Sequence, residues 1–81
     1  MQLNFTPHFS RSFSKAPFEI QKIFNKKSLL LLASLRHPSL RAKKYDESLG
    51  LWQARVNDDW RFYFTIQQDT YILHDIIRHP K

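Results

Sequence analysis

Eighty-one residues, 42% of them hydrophobic, make one small domain spanning 1–81. The absence of cysteine removes disulfides, thiolate metal sites and cysteine nucleophiles, and a single glycine, Gly50, excludes a phosphate-cradling glycine loop. The net charge of +6 is lopsided: residues 1–45 hold nine basic residues and one acid, Glu19, while residues 46–81 hold four basic residues and six acids. That imbalance suits a polyanionic or strongly acidic partner, and equally a surface charged for solubility. The uncharged run Ser28–Leu35 is far below the ~20 residues that span a bilayer, and the amino terminus lacks a basic-then-apolar signal pattern. The expectation is a cytoplasmic domain with no membrane contact.

In chain order, Gln2 to Phe5 reads as a short strand. Thr6 is a good N-cap and Pro7 suits the first helical position, so a short helix runs to about Ser14 with Phe9 and Phe13 on one face. Pro17 fits the first turn of a second helix, whose apolar positions Ile20, Ile23, Phe24, Leu30, Leu31 and Leu35 carry it to about His37, before Pro38. The segment Arg36–Lys44 holds four Lys or Arg, one His and no acid, without amphipathic period. It reads as a loop leading into a sheet edge, either a phosphate-facing patch or an ordinary solvated loop.

The second half changes period. Trp52, Ala54 and Val56 alternate with Gln53, Arg55 and Asn57; after the turn Asn57-Asp58-Asp59, Trp60, Phe62, Phe64 and Ile66 alternate with Arg61, Tyr63 and Thr65. A second turn at Gln67-Gln68-Asp69 leads to a third strand from Thr70 to about Arg78. The plan is β-α-α-β-β-β, an α+β fold with a helical hairpin packed on one face of a mainly antiparallel sheet.

Strand parity then sorts the polar residues. If the helices cover the Trp52/Ala54/Val56 face, Gln53, Arg55, Arg61 and Tyr63 lie on the open one. With Ile72 and Ile76 as core residues, Tyr71, Leu73, Asp75, Ile77 and His79 join them there. The two arginines either pair with Asp75 and the turn acids or form a phosphate clamp. Arg61 is expected to serve the site and be dispensable for the fold, and Tyr63 is the one aromatic placed to stack on a base. His74 and His79 fall on opposite faces, His8 and His37 read as surface residues, and no metal site or cofactor is expected. Neighbouring acids at Asp46-Glu47 and Asp58-Asp59 sit in turns, and none of the serines lies in a nucleophile elbow.

Four stretches together, Arg36-His-Pro-Ser-Leu-Arg-Ala-Lys-Lys-Tyr45, Leu51-Trp-Gln-Ala-Arg-Val56, Trp60-Arg-Phe-Tyr-Phe64 and Tyr71-Ile-Leu-His-Asp-Ile-Ile-Arg-His79, resemble the RelE/ParE superfamily of type II toxin–antitoxin toxins. The resemblance spans essentially the whole chain and agrees in element order. It implies a toxin that an antitoxin neutralises and, in the RelE-like branch, a hydrolase that cuts mRNA on the ribosome. This mRNA interferase chemistry is metal-independent attack of the ribose 2′-hydroxyl on the adjacent phosphate, and it inhibits translation. By position the resemblance assigns catalytic roles to His79, Arg61 and Lys44. Arg41, Lys43, Arg55, Tyr63 and Arg78 are the residues expected along the RNA.

Gln53 stands where some relatives carry lysine, and no aromatic follows His79 where many members have one. The acid–base role therefore falls first to His79, with Lys44 and Tyr63 as other candidates. Two alternatives are a ParE-like gyrase poison acting by protein binding, and a catalytically degraded relative that only binds antitoxin. The antitoxin is expected to be an acidic protein from an adjacent gene, setting carboxylates against the arginines and apolar groups against Leu73 and Ile77.

Overall fold

The computed structural model describes residues 1–79. Strand β1 (Gln2–Phe5) leads into helix α1 (Pro7–Lys15), where Thr6 Oγ1 accepts the Phe9 amide proton at 3.1 Å and Pro7 takes the first position. Phe9 and Phe13, one turn apart, stack at 5.8 Å. Helix α2 (Phe18–Ala33) brings Phe24 against both, with centroids 5.2 and 5.5 Å away, and Phe24 meets Phe62 of the sheet edge-on at 5.1 Å. Tilted and edge-on rings at these distances are favourable beyond the area they bury. This aromatic stack is the joint between helical hairpin and sheet.

α2 ends at Ala33, short of the expected His37. Ser34 turns extended (φ −165°), its Oγ accepts the Arg36 amide proton at 3.3 Å, and His37 Nδ1 accepts that of Ser39 at 3.2 Å. These side chains take donors that a longer helix would have bonded internally. Leu35 packs on the core from outside the helix, and Pro38–Leu40 form a single 3-10 turn.

The sheet has five strands in the order β1-β5-β4-β3-β2, with β1 parallel to β5 and every other pair antiparallel. Three match the expected meander: β3 (Leu51–Arg55), β4 (Trp60–Gln67) and β5 (Thr70–Arg78). The fifth is an addition, because Lys43–Asp46, expected as loop at Lys43 and Lys44, forms the short edge strand β2. Two lysines on an exposed edge discourage pairing with further strands, which is how edge strands are commonly kept safe.

Parity holds on β3 and β4. Ala54 faces Phe62 and Trp52 faces Phe64 on the helix side, while Gln53 faces Tyr63 and Arg55 faces Arg61 on the other. On β5 it holds only in part. A bulge shifts the pairing from Tyr63–Asp75 to Phe64–Leu73, leaving His74 as the extra residue. One extra residue inverts the faces on its amino-terminal side. Tyr71 and Leu73 are therefore core residues, 5% and 1% exposed, and Ile72 takes the opposite side. Ile76 stays in the core and Ile77 stays exposed. The apolar contact expected from an antitoxin at Leu73 is thus corrected: only Ile77 of that pair is reachable.

Candidate functional site

On the helix-free face, Arg41, Lys43, Gln53, Arg55, Arg61 and His79 surround a concavity of about 300 Å³. Four cations, one imidazole and one amide line it, with no carboxylate among them. Arg41 enters from the 3-10 turn, which it caps in the left-handed region (φ 45°) with its N–H bonded to Pro38 O at 3.2 Å. Lys43 stands opposite Gln53 in the β2–β3 ladder. Gln53 Nε2 donates to Tyr63 Oη at 2.9 Å, which fixes both side chains across neighbouring strands.

The turn between β3 and β4 organises the rest. Asn57 Oδ1 accepts the amide protons of Asp59 and Trp60, both at 2.9 Å, and so closes the loop on itself. The outward carbonyls of that loop then hold two site residues. Arg61 Nη1 donates to the carbonyls of Asn57 (2.6 Å), Asp58 (3.2 Å) and Trp60 (3.1 Å), and the His79 amide donates to Asp59 O at 2.6 Å. Arg61 is only 9% exposed. A guanidinium that buried is tolerable because carbonyl acceptors replace its water. Arg61, expected to serve the site and not the fold, thus also donates to the turn from which His79 hangs. The Asn-Asp-Asp turn was visible in the sequence, but its role as an anchor for Arg61 and His79 was not.

Arg55 and Arg61 are direct cross-strand partners. Like charges in that position repel. Arg55 finds partial relief in Asp58, whose Oδ1 lies 3.3 Å from Nη1, but that carboxylate is 91% exposed and such a pair contributes little. The site therefore gathers positive charge that the exposed Asp58 offsets only in part, an arrangement suited to an anionic group, phosphate or carboxylate.

Of the expected site residues, Arg41, Lys43, Arg55, Arg61 and His79 converge on the concavity. Lys44 does not. It stands opposite Trp52 on the helix side, its Nζ 5.5 Å from that ring's centroid and 3.9 Å from Glu47. Arg78, opposite Trp60, also alternates away from the face that carries Ile77. Tyr63 is on the open face but only 8% exposed. Its ring meets Tyr45 edge-on at 5.1 Å, and Tyr45, which sequence reasoning passed over, is 59% exposed. Asp75, expected near the arginines, instead has its Oδ2 3.1 Å from His8 Nε2.

Outside the concavity, the Asp46 carboxyl and the Tyr71 phenol are displaced from their ordinary range. The Ser48 hydroxyl, then the Leu49 and Ser48 amides, donate to Asp46 and hold its carboxyl low, whereas burial pushes the Tyr71 phenol up. Among the described residues no three His, Asp or Glu side chains gather as metal ligands, and no helix is long and apolar enough to cross a membrane.

No family model matches the chain, and no curated protein matches it in sequence. Solved structures do match in shape. The YoeB dimer structure from Staphylococcus aureus superposes with a TM-score of 0.80 at 14% identity, covering 99% of this chain and 98% of that one. The YoeB/ParE toxin from Agrobacterium tumefaciens gives 0.79 at 11% identity over 99% and 100%. A chain of the RelB–RelE antitoxin–toxin complex from Methanococcus jannaschii gives 0.77 at 17% identity over 93% and 88%. Identities this low speak to architecture: this chain has the fold of the RelE, YoeB and ParE toxins.

Proposed function

We propose that this protein is the toxin of a type II toxin–antitoxin pair and acts as a ribosome-dependent mRNA endoribonuclease that needs no metal. The observation that carries the reading is the concavity in which Arg41, Lys43, Arg55 and Arg61 meet His79, with no acid among its described lining residues. Its lining supplies cations where a metal-assisted nuclease would present carboxylates. A scissile phosphate seated there is neutralised by the rim cations. Arg61, locked to the turn through Nη1, keeps its position as charge builds on the phosphorane oxygens.

The ribose 2′-hydroxyl attacks phosphorus, the bond to the 5′-oxygen breaks, and the products carry a 2′,3′-cyclic phosphate and a 5′-hydroxyl. His79 exchanges the proton, accepting it from the 2′-hydroxyl or delivering one to the leaving oxygen. A toxin of this kind requires an antitoxin, and the charge of the open face suits an acidic one.

The deciding experiment is single-turnover cleavage of mRNA on programmed ribosomes with end-group analysis. Fragments ending in 2′,3′-cyclic phosphate, and a loss of about 100-fold or more in His79→Gln with ribosome binding kept, are expected. Fragments with 5′-phosphate and 3′-hydroxyl ends would overturn the chemistry. Inhibited DNA supercoiling with intact mRNA would place the protein with gyrase poisons instead.

A further inference from the structure

We propose that Tyr45 is a stacking platform for the nucleobase adjoining the phosphate held in the concavity. The inference rests on the nucleic-acid reading above and adds to it a position for the base. Tyr45 lies in β2 between Lys44 and Asp46, where the β2–β3 register slips. Irregularities of this kind beside a site re-aim a side chain. Here the ring comes to rest edge-on against Tyr63 at 5.1 Å and 72°, with Tyr45 59% exposed.

An exposed tyrosine on an edge strand is by itself unremarkable; what sets this one apart is its mooring. Tyr63 is packed down and its Oη accepts a hydrogen bond from Gln53 Nε2, and Gln53 lines the concavity. The chain Gln53–Tyr63–Tyr45 therefore ties the platform to the phosphate seat through side chains that are each held. On the carboxyl side, Asp46 Oδ1 accepts from Ser48 N (3.0 Å), Ser48 Oγ (2.7 Å) and Leu49 N (3.3 Å), so the strand end that carries Tyr45 is pinned as well.

Lys43 and Tyr45 are two residues apart on β2, so a cation on the rim of the phosphate seat and the exposed ring are near neighbours on one strand. Tyr63, the aromatic the sequence offered for this task, is too buried to present a ring face and supports Tyr45 instead. Stacking accepts every base, so Tyr45 fixes where the strand lies and not which base it carries.

The test measures affinity of the full-length protein for ribosomes programmed with mRNA carrying a 2′-deoxy substitution at the scissile nucleotide, which blocks cleavage. A second mRNA is abasic at the adjoining position. Tyr45→Ala is expected to weaken binding roughly 10- to 100-fold on the mRNA with its base and hardly at all on the abasic one. Tyr45→Phe and Tyr45→Trp should bind like the parent, and all three variants should melt like it. Equal losses on both mRNAs, or parental binding by Tyr45→Ala while the parent cleaves normally, would overturn the stacking role alone. A parent that neither binds nor cuts programmed ribosomes would overturn the nuclease reading and this inference together.

Discussion

Along β4, Phe62 and Phe64 are fully buried beneath the helices, while Arg61 and Tyr63, between and beside them on the other face, are almost as buried with no helix above. The helix-covered face reaches that state with apolar side chains, in which Phe9, Phe24, Phe62 and Phe64 form a chain of ring contacts among aliphatic neighbours such as Leu31, Leu40 and Ile76. The open face reaches it with polar groups that cover one another, Gln53 on Tyr63 and the turn carbonyls on Arg61. The two faces therefore fail differently. Removing a ring leaves a void, which neighbours partly fill. Removing a polar partner leaves a dehydrated donor or acceptor, and also removes charge from the site.

Phe24→Ala probes the first face and carries the largest expected effect. Its ring touches Phe5, Phe9, Phe13 and Phe62, so truncation is expected to cost about 3–5 kcal/mol. A domain this small has a total stability of about 5 kcal/mol or little more. Urea denaturation should find the variant largely unfolded. A loss below about 1 kcal/mol would mean that the aromatic joint does not carry the fold.

Arg61→Ala probes the second face, where two losses should come together. Three carbonyls of the β3–β4 turn lose their donor, with an expected cost of about 1.5–3 kcal/mol of stability. Cleavage should fall roughly 30- to 1000-fold beyond what unfolding explains, measured on the folded fraction. Arg55→Ala, at a half-buried position paired with the exposed Asp58, should lower activity and leave the melting temperature near the parent's. If Arg61→Ala melts like the parent, the turn does not depend on it and the contrast between the two arginines disappears.

The sequence made one face of this comparison more legible than the other. From Trp52 to Arg55 and from Trp60 to Phe62 apolar and polar residues alternate, so a period of two assigns those side chains to a face. Tyr71-Ile72-Leu73 are all apolar, so nothing in that run says which residue points inward, and the bulge at His74 decides it through the pairing with β4. β2 was hidden because Lys43 and Lys44 are poor strand formers, and an edge position tolerates them where a central one would not. The end of α2 was misplaced because Pro38 is the stronger punctuation mark, although Ser34 acts first. Arg55, Arg61 and His79 could be assigned to one face from parity alone. The choice between Lys43 and Lys44 hung on a single residue of register in a strand that parity did not reveal.

That choice gives the smallest expected effect and the sharpest distinction between the faces. Lys43 stands opposite Gln53 and lines the concavity, whereas Lys44 stands opposite Trp52 with its ammonium over the indole. An exposed phosphate contact contributes modestly, so Lys43→Ala should weaken binding of programmed ribosomes several-fold and reduce its steepness with salt by about one unit of the logarithmic slope. Lys44→Ala should leave both within about twofold of the parent and instead lower the melting temperature slightly, because it removes a cation–π contact at a half-exposed ring. The two substitutions delete the same charge from adjacent positions, so net charge and long-range steering change equally in both. Any difference between them must therefore come from the face on which each side chain lies. If Lys44→Ala abolishes cleavage while Lys43→Ala is silent, β2 pairs one residue out of the register seen here during catalysis, and the concavity is not the seat of the phosphate.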